Sequence, residues 1–440
     1  MSEAMRKILV LDDDPTGTQT VHGIYVYTDW RRETLKQAFL DGRPMSYILT
    51  NSRSFPRAET VEAHGRIAMD IASLERELGL DAVIISRSDS TLRGHYPDET
   101  EALRDNLPYP VDGEALIPFF PECGRITREN THFLWQNGEY VPVHRTEFSR
   151  DPSFGYRHSH LGEWVEEKTG GRYRRDDCVY IPVSQDGMET YRMLMSVAGF
   201  QKVIVNAVTY ADLRAFTKAV LRAMEDGKRF LFRTAAAFPK VIGGCADIPL
   251  LTRNEILDGQ GRGALIVVGS HVRNTTDQLA HLKASHPQAV YLEFDVRAAL
   301  AEGGLEAEKA GILQKAESVL RAGGTAAVFT SRAPLSPEGM DADGLLRLSV
   351  RISAALTGIV AALAVRPRYI LAKGGITSSD VAVHGLGLQR ALVMGQILQG
   401  VPVWQAGEES KFPLLPYIVF PGNVGEPDGL SRVLEELAVR

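Results

Sequence analysis

The first residues equipped for chemistry are Asp12-Asp13-Asp14-Pro15-Thr16-Gly17-Thr18, directly behind the apolar run KILVL. Three adjacent carboxylates repel one another, so a purely structural role seldom demands them. Ligands of open α/β sheets bind outside the carboxyl ends of the strands. A carboxylate there could orient or deprotonate a substrate hydroxyl, or bind Mg2+. The bland reading is an acidic turn that caps the next helix. A second group, Ser86-Arg87-Ser88-Asp89-Ser90-Thr91-Leu92-Arg93-Gly94-His95, follows the run DAVII. Its two guanidiniums match a carboxylate bidentately and its hydroxyls match a polyol. Thr50-Asn51-Ser52-Arg53-Ser54 closes the run SYILT in the same manner. The candidate substrate contacts are therefore Thr16, Gly17, Ser52, Arg53, Arg87, Asp89, Ser90 and Thr91. His95 and His132 are expected as packed or hydrogen-bonded residues, not proton carriers.

The second half offers a different chemistry. Lys373-Gly374-Gly375-Ile376-Thr377-Ser378-Ser379 follows the run RYILA, and Val268-Gly269-Ser270-His271 and Pro421-Gly422-Asn423-Val424-Gly425 also close apolar runs. Glycines let backbone N–H groups approach phosphate closely, and the Thr377 and Ser378 hydroxyls add donors. Three such turns suit a nucleotide, although their spacing does not say which. Neither the P-loop pattern nor a G-x-G-x-x-G behind the first strand is present.

The elements that must position these residues read as βα units. Apolar β-branched runs (Ile8–Leu11, Ile24–Tyr27, Tyr47–Thr50, Ala82–Ser86, Ala115–Pro118, Lys202–Asn206) alternate with helical stretches such as Ala58–Leu78 and Tyr210–Glu225. A second series follows: Ala264–Gly269, Gln288–Glu293, Thr325–Thr330 and Tyr369–Lys373, with a long helical pattern over Leu345–Ala364. The fold class is α/β, with two α/β domains, 1–240 and 241–440, of largely parallel sheet and an active site in the cleft between them. Thr131–Arg175, polar and rich in arginine, is expected as an extended loop or hairpin. The chain has 440 residues, long for one core. A net charge of -6 gives no footprint for nucleic acid, and no apolar stretch is long enough for a bilayer. Cys123, Cys178 and Cys245 are dispersed, so no zinc knuckle or disulfide framework is indicated. A cytoplasmic protein is expected, and base rates point to a homodimer.

At these motifs the sequence resembles the four-carbon acid sugar kinase family, from about Lys7 to about Gly429. Asp13-Asp14-Pro15-Thr16-Gly17 looks like its D-D-x-T-G, and Arg87–Gly94 like its K-x-D-S-T-x-R-G. Arg233–Ala236 looks like its R-T-A-A, Gly374–Ser378 like its G-G-x-T-S, and Gly422–Gly425 like its G-N-x-G. The resemblance implies an N-terminal sugar-acid domain, a C-terminal ATP domain and transfer of the γ-phosphate to a terminal hydroxyl. Nucleotide contacts would then fall at Ser270, Gly374, Gly375, Ile376, Thr377, Ser378, Gly422 and Asn423, with ATP and Mg2+ as cofactors and no metal ligands assigned. Asp13 or Asp14 would orient or deprotonate the acceptor. Arg53, Arg87 and Arg93 would hold the acid's carboxylate and offset charge, Arg93 counting with the catalytic groups. The competing reading makes Asp12 the nucleophile and Asp14 the acid/base of a haloacid dehalogenase-type phosphatase. A non-catalytic sugar-acid sensor is the other.

Overall fold

The computed structural model describes residues 6–438, apart from Gln185, Pro334, Ser336, residues 338–341 and Asn423. The chain forms two compact units, Met1–Asp247 and Ile248–Arg440. The first contains strands β1 (Lys7–Asp12), β2 (Ile24–Tyr27), β3 (Met45–Leu49), β4 (Ala82–Arg87), β5 (Gly113–Ile117), β6 (Arg125–Arg128), β7 (Thr131–Gln136), β8 (Glu139–Pro142), β9 (Val179–Ile181), β10 (Gln201–Val205) and β11 (Phe230–Thr234). All but β6–β8 align in the order β2-β3-β1-β4-β11-β5-β10-β9, every pair parallel. Strands β1, β3, β5 and β11 are buried along their whole length. Burial along the whole strand is what a parallel sheet covered on both faces imposes.

Register decides where the chemistry lies. Asp12 sits opposite Leu49 on one side and Arg87 on the other, and Arg87 sits opposite Thr234. Strands β3, β1, β4 and β11 therefore end level, and the turns behind them share one edge. The helix Arg57–Leu78 buries Ile67, Ile71 and Leu74 against β1 residues Leu9 and Leu11, and stops where Gly79 turns left-handed at φ 65. A capping box, Thr209 with Asp212, starts the helix Tyr210–Glu225.

The stretch expected as a loop or hairpin is partly that and partly more. Strands β6, β7 and β8 form a separate antiparallel sheet, with Asn137-Gly138 left-handed at the β7–β8 turn. Behind it a helix, Leu161–Lys168, buries Trp164 and Val165. These join Leu134, Val143 and Tyr156 in a small core that also takes in Leu92. Eight residues are too few for helical periodicity to announce itself in sequence.

The second unit contains β12 (Ala264–Val268), β13 (Val290–Phe294), β14 (Thr325–Thr330), β15 (Ile370–Lys373), β16 (Arg390–Leu398), β17 (Val401–Ala406) and β18 (Pro416–Phe420). Their order is β13-β14-β12-β15-β18-β17-β16. The first five are parallel, and β17 runs antiparallel to both its neighbours. Val268 faces Phe329 and Lys373, and Lys373 faces Phe420, so β14, β12, β15 and β18 also end level. The helix Gly429–Leu437 presents Leu430, Val433, Leu434 and Leu437 to the core at helical spacing. Among the described residues no helix is long and apolar enough to cross a membrane.

Candidate active site

At the carboxyl edge of the first unit, three acids share two guanidiniums. Arg53 grips Asp13 with a fork, Nε 3.1 Å from Oδ2 and Nη2 2.5 Å from Oδ1, and sets Nη1 2.8 Å from Asp14 Oδ2. Asn51, left-handed at φ 57, turns the chain into the short helical turn that carries Arg53. Arg87 Nη1 lies 3.1 Å from Asp12 Oδ1 and 3.6 Å from both Asp13 and Asp14. Ser88 Oγ donates to Asp13 at 2.6 Å, and the Thr16 amide (2.7 Å) and hydroxyl donate to Asp14. One retained proton balances this count of charges. Burial pushes the Asp12 carboxyl well above its usual range, against the pull of Arg87. Asp12 Oδ2 is also buried without a hydrogen-bond partner. A side chain at position 17 would begin 2.0 Å from that oxygen, which is why glycine follows Thr16. Burial acts upward on Asp14 too, but Arg53, Arg87 and the Thr16 donors outweigh it and hold its carboxyl below the usual range.

A second group adjoins the first. Asp89 accepts from the Thr91 hydroxyl and from Arg93 Nε at 2.8 Å. Arg93 extends Nη1 to 3.6 Å from Asp151 and lies over the Phe148 ring at 4.9 Å. Arg233 Nη1 meets Glu99 at 2.9 Å, Glu99 accepts from Ser52 Oγ at 2.7 Å, and Arg233 Nη2 reaches the Arg93 carbonyl at 3.2 Å. Gly94, at φ 118, knits the groups together: a Cβ there would stand 2.7 Å from Ser88 Oγ and 3.0 Å from Arg233 Nη2.

The structure thus gathers Asp13, Asp14, Thr16, Gly17, Arg53, Arg87, Asp89, Thr91 and Arg93 at one edge. Arg87, Ser52 and Thr91 are buried and bonded within the protein. Ser90, also buried, contributes its carbonyl, which takes His132 Nε2 at 2.8 Å. Asp14, Arg53 and Arg93 keep side chains 17–20% exposed. Sequence reasoning missed Glu99 and Asp151, which carry no local signal. Arg233 was visible as a charge ending an apolar strand. His132 is fully enclosed, its Nδ1 2.9 Å from the Thr127 hydroxyl, and burial pushes its pKa down to about 4.

In the second unit three turns converge on Ser270. A Cβ at Gly374 (φ 115) would lie 2.8 Å from Ser270 Cβ, one at Gly422 3.3 Å from Ser270 Oγ, and one at Gly269 2.3 Å from Thr377 Oγ1. Close approach of three backbones is what glycine permits here. Thr275 Oγ1 lies 3.3 Å from both Ser270 Oγ and the Gly422 carbonyl, so the helix Arg273–Ser285 braces two of the turns. Gly375 opens the helix Gly375–Asp380, with Ile376 exposed and Thr377 buried. Ser378 is buried and bonded to Ala372 O at 2.9 Å, so its hydroxyl secures the turn and is spent there. Asn423 lies outside the described residues. Beneath the turns is Lys373, fully enclosed, with Nζ 2.6 Å from Pro421 O and 3.3 Å from Gly422 O. Desolvation lowers its pKa to about 6.

Residues 8–242 match the family model of a sugar-binding N-terminal domain, and residues 265–430 that of a nucleotide-binding C-terminal domain. The chain belongs to the four-carbon acid sugar kinase family. This family member is 27% identical over 396 residues to the 3-oxo-tetronate kinase of Methylobacterium radiotolerans, across 89% of this chain and 88% of that one. Its fold is shared with a Salmonella typhimurium LT2 protein provisionally described as a tRNA synthase (TM-score 0.67, 18% identity, 99% of this chain and 100% of that chain). It is shared as well with protein HI1011 of Haemophilus influenzae (TM-score 0.61, 18% identity, 98% and 100%). At such identity these two establish architecture alone.

Proposed function

We propose that this family member is an ATP-dependent kinase that phosphorylates a terminal hydroxyl of a small, four-carbon sugar acid in the cytoplasm. The observation that carries the reading is the contrast between two level strand edges. One, in the sugar-binding unit, bears a carboxylate–guanidinium array; the other, in the nucleotide-binding unit, bears three glycine turns around Ser270. In the transfer a bond forms between the acceptor oxygen and the γ-phosphorus, the bond to the β-phosphate oxygen breaks, and the hydroxyl proton passes to Asp14 late in the step. Such transfer relies on positioning and charge, with little covalent work for the protein. Asp14 is the group we assign to the acceptor hydroxyl. Its lowered proton affinity suits it to orienting that hydroxyl through a hydrogen bond more than to taking its proton early. Arg53 and Arg93 have N–H donors left for the acid's carboxylate, and Arg87 keeps the acids in place.

Asp12, Asp13 and Asp14 are engaged by guanidiniums and no set of metal ligands forms among the described residues, so we assign Mg2+ to the nucleotide's phosphates. The phosphatase reading loses support from the same cluster, because an enclosed Asp12 bonded to Arg87 is a poor nucleophile. The test is an ADP-release assay with Mg2+ and ATP over a panel of four-carbon sugar acids, each acceptor checked by mass spectrometry for added phosphate. ADP together with a phosphorylated acid is expected. Hydrolysis of phosphate esters without ATP would turn the assignment to the phosphatase, and acid binding with no product to the sensor.

A further inference from the structure

The two units treat their strand-edge cations in opposite ways. In the first, Arg53, Arg87, Arg93 and Arg233 each meet a carboxylate within 3.1 Å. In the second, Arg332, just past the end of β14, makes no ion pair among the described residues, and burial alone shapes its proton affinity, lowering it. Its side chain is nevertheless held firmly. Nη2 donates to the Ser270 carbonyl at 2.6 Å and to Thr276 Oγ1 at 2.8 Å, and Nε reaches the same hydroxyl at 3.2 Å. Among the described residues Nη1 is closed to solvent and bonds nothing. A guanidinium carries five N–H donors in a fixed fork, so the two on Nη1 remain unspent. Buried cationic nitrogens are ordinarily paired, and an orphan of this kind points to a missing partner. Lys373 is also without a carboxylate, but it is enclosed and directed at backbone carbonyls, so it braces the Pro421–Val424 turn and is out of a ligand's reach.

We propose that Arg332 is the phosphate-binding cation of the second unit, giving its Nη1 donors to a non-bridging oxygen of a bound polyphosphate while Nε and Nη2 stay on Thr276 and Ser270. This rests on reading the second unit as a nucleotide site and names the charge that such a site needs. Neither a glycine turn nor a serine hydroxyl neutralises a polyphosphate, whereas an arginine fork matches its geometry. The placement is apt because the carbonyl that anchors Arg332 belongs to Ser270, the residue on which the glycine turns converge. The field of Arg332 reaches His271 as well. There burial and Arg332 together hold the imidazole below its usual range. Because water does not reach Nη1, entry of a phosphate oxygen must displace part of its cover.

The experiment compares the full-length wild type with Arg332→Gln and Arg332→Lys by calorimetric titration of ADP, tripolyphosphate and adenosine. Arg332→Gln is expected to weaken ADP and tripolyphosphate by about tenfold or more and to leave adenosine unchanged. Arg332→Lys, which keeps the charge and loses the fork, is expected between the two. The proposal is overturned if Arg332→Gln binds ADP and tripolyphosphate as the wild type does, or if it loses adenosine as steeply as ADP, the mark of a structural role. Should Arg332→Gln fail to fold, Arg332→Lys decides by the same comparison. Wild type that binds tripolyphosphate through Arg332 but not ADP would sink the ATP assignment and keep this one. Normal ADP binding in both variants would do the reverse.

Discussion

Asp12, Asp13 and Asp14 are chemically identical neighbours that their surroundings turn into three different acids. Asp12 is enclosed and burial pushes its carboxyl up, Asp13 is gripped by the Arg53 fork, and Asp14 is partly exposed with its carboxyl held below the usual range. Asp12→Asn copies the protonated form and should melt within a few degrees of wild type. A collapse of the fold would show instead that Asp12 is charged. Asp13→Asn breaks a charge-assisted fork and the Ser88 bond, for about 2 kcal/mol of stability, measurable by denaturant unfolding. In the kinase assay Asp14→Asn should lower kcat by roughly a hundredfold. Because the Asp14 carboxyl is held below its usual range, its ionised form persists as pH falls through that range. Any acid limb it causes in kcat/KM should therefore lie below about pH 4. The type and order of these residues were legible in sequence. Which acid keeps the proton was not, since burial and the reach of Arg53 and Arg87 decide it.

At the scale of elements, the loop behind β4 is held from outside the sheet that carries it. His132 on β7 donates toward Ser90 O, the Tyr156 hydroxyl donates to Thr91 O at 2.6 Å, and Leu92, left-handed at φ 70, sinks into the core built around Trp164. Tyr156→Phe removes one bond and keeps the ring. Its expected effect is an acid KM raised about fivefold with the ATP KM unmoved, near the worth of one hydrogen bond. Equal changes in both KM values would argue against a local role. Deeper in the sheet, Lys202 on β10 and Glu114 on β5 form an ion pair 2.5 Å long with both side chains fully enclosed. Lys202→Met leaves Glu114 buried and unpaired, at a cost of about 3–5 kcal/mol. The double variant Lys202→Met with Glu114→Leu should recover most of that in the same unfolding experiment. Strands β1, β4, β12 and β14 were plain from their β-branched runs. The short helix Leu161–Lys168 was not, because it gains its stability from partners distant in sequence, and neither were β16 and β17, an antiparallel pair joined by two residues.

For the whole molecule, the two enclosed bases set a direction for stability against pH. His132 titrates near 4 in the fold and near 6.5 unfolded, so between those values the unfolded chain binds the extra proton. Lys373 does the same between about 6 and 10.5. Both terms therefore make stability rise with pH: the His132 term is complete above about 6.5 and is lost toward 4, and the Lys373 term grows up to about 10.5. Lys373→Met should accordingly melt above wild type near pH 7, with the gap closing as pH approaches 10. A gap independent of pH would mean that Lys373 is charged in the fold. Sequence alone determined that this chain is α/β, that its first half gathers acids and arginines at strand ends, and that its second half gathers glycine turns, because apolar periodicity and residue type are local properties. Tertiary structure alone decided that Arg87, Ser52 and Thr91 are enclosed, that Glu99 and Arg233 tie the first array together, and that Arg332 stands at Ser270 without a counter-charge among the described residues. Those outcomes depend on strand register and on which side chains burial leaves unmatched, and both are fixed by residues far apart in the chain.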